Sequence, residues 1–88
     1  MAWRIEYLRS VRKAVEQLDP SECQRIRAFL EERVATLDDP RTLAKPLKGA
    51  DGSLWRYRVG AYRIVCEIQD DAVVVLVVRV GHRKEVYR

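Results

Sequence analysis

Trp55-Arg56-Tyr57-Arg58-Val59-Gly60-Ala61-Tyr62-Arg63-Ile64-Val65-Cys66-Glu67-Ile68 is the stretch that decides the fold. Trp55, Tyr57 and Val59 alternate with Arg56 and Arg58, which is the period of a strand with one buried face. Gly60-Ala61 then offers a two-residue turn with glycine in the first central position, as a type II′ hairpin prefers. Tyr62, Ile64, Cys66 and Ile68 resume the apolar face. Two paired strands are therefore expected, with Arg56, Arg58, Arg63, Val65 and Glu67 together on the other face.

Asp70-Asp71 supplies the next turn. Val73 to Val80 is a β-branched run, apolar on both faces, as expected of a central strand. Strict alternation puts Val74, Leu76, Val78 and Val80 inward. It puts Val73, Val75, Val77 and Arg79 on the open face with the arginines. Gly81 breaks the run.

Upstream, Trp3, Ile5 and Tyr7 alternate with Arg4 and Glu6 as a further strand. Leu8, Val11, Val15 and Leu18 recur at helical spacing. Asp19-Pro20-Ser21-Glu22 is a helix start, with Asp19 to cap, Pro20 at the first position and Glu22 where a capping box wants it. Cys23, Ile26, Leu30, Val34 and Leu37 continue one stripe until Asp38-Asp39-Pro40 ends it. The order is β-α-α-β-β-β in a single domain, residues 1–88. The expected class is α+β, an antiparallel sheet with a helix hairpin on one face.

The net charge of +4 favours a polyanionic partner, and its distribution says more than its size. From Arg41 to Arg63 there are six Lys or Arg against one acid, Asp51. Arg83, Lys84 and Arg88 face only Glu85 in the final residues. Clustered arginines on a sheet face suit phosphate, because the guanidinium fork grips paired oxygens. A solvated polar face has the same composition. Cys23 and Cys66 sit in apolar patterns and read as reduced core thiols. The first residues carry charge throughout and lack the apolar core of a signal peptide, and no segment is long enough to span a bilayer, so the cytoplasm is expected, with no membrane partner.

RNA can be cut by its own 2′-hydroxyl attacking the adjacent phosphate. That requires a group to take the 2′ proton, a group to give one to the 5′-oxygen, and cations for the charge that develops. No His/Asp/Glu cluster has metal-ligand spacing, so neither metal nor other cofactor is expected. His82 is the only histidine, the one side chain whose ordinary pKa lies near neutrality. Tyr87 can orient or stack on a base. Arg56, Arg58, Arg63 and Arg83 are better phosphate binders than bases, since guanidinium keeps its proton.

Lys45-Pro-Leu-Lys-Gly49, Trp55 to Arg63, and Val78-Arg-Val-Gly-His-Arg-Lys-Glu-Val-Tyr87 together resemble the RelE branch of the RelE/ParE toxin superfamily. The resemblance covers nearly the whole chain. It implies a microbial-RNase-like fold with the active face on the sheet. It implies a type II toxin that cleaves mRNA in the A site of the 70S ribosome and so inhibits translation. It also implies a cognate antitoxin, held in a toxin–antitoxin hetero-oligomer. The family's functional positions fall on Arg63, Arg83 and Tyr87, and its further basic positions on Lys48, Arg56 and Arg58. Lys45 and Arg79 complete the expected phosphate-binding set.

This chain departs from the family where it carries Arg56 and Arg58 in place of lysines, one of them the proposed base. It also departs at Lys45, where some relatives carry a glutamate. The acid–base work is therefore expected to have moved to His82, assisted by Tyr87 or by Lys45 or Lys48. The alternatives are a ParE-type gyrase inhibitor and a non-catalytic RNA- or ribosome-binding module. A partner surface over Val65, Val73, Val75 and Val77 is a further expectation.

Overall fold

The computed structural model describes residues 2–47 and 53–82. Five strands form one sheet: β1 (Arg4–Tyr7), β2 (Lys45–Pro46), β3 (Leu54–Val59), β4 (Tyr62–Gln69) and β5 (Val74–His82). Between β1 and β2 run the helices α1 (Arg9–Glu16) and α2 (Pro20–Ala28). A π-helical turn (Phe29–Arg33) and two 3-10 turns (Val34–Thr36 and Pro40–Leu43) follow. The strand order is β1-β5-β4-β3-β2.

The α+β class and the helix hairpin on one face are as expected, and the turn at Gly60 has positive φ (59°) at its first central residue. The sheet is mixed, however, because β1 runs parallel to β5 while every other pair is antiparallel. The fifth strand, β2, is two residues long. Its Pro46 lies on the sheet edge, where a missing N–H costs no ladder bond.

The core lies between the sheet and the helices. Ile26, Leu30 and Val34 are fully buried, so the stripe read across 23–37 continues even though the α-helix itself stops at Ala28. Tyr57 is 1% exposed and its hydroxyl donates to the Pro40 carbonyl at 2.7 Å. That bond ties the segment leading into β2 to the sheet. Burial pushes the phenol up. Cys23 and Cys66 are free thiols, and burial holds the Cys66 thiol well above its ordinary range. Asp19 stands at the N-cap of α2, but its carboxylate accepts from Ser21 Oγ (2.8 Å) and makes no bond to a helix N–H, so the expected capping box is not formed. No helix among the described residues is long and apolar enough to cross a membrane.

The largest correction concerns β5. Val65 faces Arg79 across the ladder, but the next residue, Cys66, faces Val77. Val78 is thus an extra residue, a bulge that reverses the alternation on one side of it. Val80 faces inward as expected. Upstream of the bulge the faces are exchanged: Val75 and Val77 are in the core at 0% exposure, and Leu76 pairs with Glu67 on the open face. The expected surface patch of Val65, Val73, Val75 and Val77 therefore does not exist, since Val65 is buried as well.

Candidate functional site

Register now orders the open face row by row. Arg58 on β3 stands directly opposite Arg63 on β4, which stands opposite Gly81 on β5. In the next row Lys45 on β2 faces Arg56 on β3, then come Val65 on β4 and Arg79 on β5. Beyond that row the charge changes sign, with Glu67 on β4, and Glu6 on β1 opposite Leu76. The basic end of the sheet is concave. Leu43, Lys45, Arg56, Arg58 and Arg63 line a pocket of about 140 Å³.

Two like-charged pairs thus face each other across adjacent ladders. Arg63 is only 9% exposed, and its Nη1 donates to the Tyr62 carbonyl at 3.4 Å. Arg58, by contrast, is exposed at the mouth.

The structure brings Lys45, Arg56, Arg58 and Arg63 together, with Arg79 on the same face beyond Val65. It does not bring His82 to them. His82 pairs with Tyr62, whose ring it meets edge-on at 5.7 Å between centroids. Both rings are on the helix side, where His82 lines a separate pocket with Ala14, Leu18, Tyr62 and Val80. Lys48, Arg83 and Tyr87 lie outside the described residues. No three His, Cys, Asp or Glu side chains among the described residues group as metal ligands.

A family model described as "ParE toxin of type II toxin-antitoxin system, parDE" matches residues 5–87. The chain belongs to this toxin family, within the RelE/ParE superfamily. Toxin RelG of Mycobacterium tuberculosis is 27% identical over 89 residues, covering 100% of this chain and 99% of RelG. A chain of the toxin–antitoxin complex RelBE2 of the same organism superposes with a TM-score of 0.82 at 22% identity, over 97% of this chain and 95% of that one. A mutant of the Escherichia coli toxin RelE in the free state gives 0.76 at 27% identity, over 99% and 92%.

The toxin's pocket is held in shape by residues that sequence reasoning passed over. Arg41 makes a two-pronged ion pair with Asp70 (3.1 and 2.6 Å) and a further contact with Asp39 (3.3 Å). Its guanidinium also lies 5.6 Å from the centre of the Trp55 ring. This clamp fastens the 3-10 turn Pro40–Leu43, which carries Leu43 and leads into Lys45, to the turn that follows β4. The hydrogen bonds from Arg41 hold the Asp70 carboxyl below its ordinary range. An isolated Arg-Thr-Leu segment gives no sign of this, because the partner lies 29 positions away.

Proposed function

We propose that this toxin is a ribosome-dependent mRNA endonuclease that cuts in the A site by attack of the substrate's 2′-oxygen on the neighbouring phosphorus, without a metal. The observation that carries the reading is the pocket in which Lys45, Arg56, Arg58 and buried Arg63 converge. The attack forms a 2′,3′-cyclic phosphate and expels the 5′-oxygen. The 2′ proton must leave and the 5′-oxygen must gain one. Between these steps the phosphorus carries an extra negative charge, and preorganised guanidinium groups stabilise that charge best.

In this reading Arg58 and Arg63 hold the non-bridging oxygens of the scissile phosphate. The three arginines take no part in proton transfer, because guanidinium does not deprotonate in proteins. Proton transfer therefore falls to Lys48 or Tyr87. Arg83 is kept as a further phosphate ligand and Tyr87 as the group that orients the substrate. His82, turned toward the helices, is assigned no proton transfer. Similar chains occur in complexes of RelE with RelB, which supports a cognate antitoxin as the protein partner. Gyrase inhibition is the second reading, supported by the ParE description of the matching family.

Cell-free translation with the purified protein, with mRNA ends mapped by primer extension, separates them. Cuts within codons that need translating ribosomes are expected. Intact mRNA with normal translation, together with loss of DNA supercoiling by gyrase, would falsify the ribonuclease reading.

A further inference from the structure

The spacing of the four cations goes beyond a single phosphate. Arg58 and Arg63 are directly cross-strand, as are Lys45 and Arg56, so each pair starts from β-carbons about 5 Å apart. Arg56 and Arg58 are two residues apart on β3, which separates the two pairs by about 7 Å along the strand. The two non-bridging oxygens of one phosphate are satisfied by one such pair. They do not extend to the second. Consecutive phosphorus atoms of an extended single strand are roughly as far apart as the two pairs.

We infer that the pocket grips two consecutive backbone phosphates: Arg58 and Arg63 hold the one that is cut, and Lys45 and Arg56 hold its neighbour. Leu43, the apolar wall of the pocket, is then the surface against which the sugar between them lies. The Arg41–Asp70 clamp fixes the spacing by holding the segment that delivers Leu43 and Lys45. The inference rests on the ribonuclease reading above and adds a requirement to it. The substrate must carry a charged linkage beside the cut, on one side only.

The test programs ribosomes with messages in which one linkage flanking the cut, 5′ or 3′ in turn, is a neutral methylphosphonate. The wild-type protein is expected to lose about tenfold or more in single-turnover rate for one flank and little for the other, the weight of a lost charge-assisted contact. A Lys45→Ala/Arg56→Ala variant, with its fold checked by circular dichroism, is expected to cut the ordinary message more slowly. It should be indifferent to the neutral linkage. Arg58→Ala should be slow but still sensitive, and Arg56→Gln should lose part of the sensitivity with the least structural disturbance. Wild-type indifference at both flanks overturns the inference, as does undiminished sensitivity in the Lys45→Ala/Arg56→Ala variant. Failure to cut even the unmodified message overturns the ribonuclease reading itself, and is distinguished by that control.

Discussion

Arg63 is buried, lines the basic pocket and stands opposite Arg58, so its guanidinium is held in place before any anion arrives. Arg63→Ala is expected to lower ribosome-dependent cleavage by roughly a hundredfold or more, the usual cost of removing one preorganised charge-stabilising donor. Primer extension under single-turnover conditions reads this directly. His82→Gln is expected to leave the rate within about threefold and the pH profile unchanged, since a distant imidazole is no general base. Loss of one limb of that profile would instead put His82 in the chemistry. The placement of His82 was legible in the sequence. Val80 faces inward, and residue 82 follows it by alternation. A different pH effect belongs to Asp70. The Arg41 hydrogen bonds depress its folded-state pKa, so the clamp contributes stability above the ordinary carboxylate pKa and loses it as pH falls through the depressed value. Asp70→Asn should therefore lower Tm at neutral pH, and the gap from wild type should close on acidification.

The elements that alternate cleanly were readable. Trp55–Val59 and Tyr62–Ile68 fell into register around Gly60, and with them the convergence of Arg56, Arg58 and Arg63. β5 was not readable in the same way, because a valine-rich run has no polar residue to mark which face is which. The bulge at Val78 leaves no trace in such a run. Nor does sequence mark the direction of β1, which depends on where the helix hairpin returns the chain. Substitutions can locate the bulge. Val77→Ala should cost about 2 kcal/mol in urea unfolding, the price of a methyl-lined cavity in a closed core, while Val78→Ala should cost less than half as much. Val73 offers the opposite sign. It has φ of 55°, a left-handed conformation that a β-branched residue adopts with strain. Val73→Asn should raise stability by about 1 kcal/mol, because asparagine tolerates that region.

At the scale of the whole molecule, basic charge is gathered at one end of the sheet. Phosphate or sulfate should raise Tm more than chloride at equal ionic strength, because an anion that binds only the folded state stabilises it by mass action. Arg58→Gln should raise Tm in chloride and shrink the phosphate effect, while cleavage slows. A more stable toxin would then be a less active one. The order of strands has a further consequence. β5 lies between β4 and β1, yet it follows both in the chain, and Arg4 of β1 pairs with Val74 of β5. During synthesis the hairpin of β3 and β4 can form early, but the core cannot close and β1 has no strand to join until β5 has emerged. A ribosome making this protein has thus read past the codon for His82 before its product can hold a finished fold, so the topology delays the toxin's maturity until the last strand of the sheet has been made.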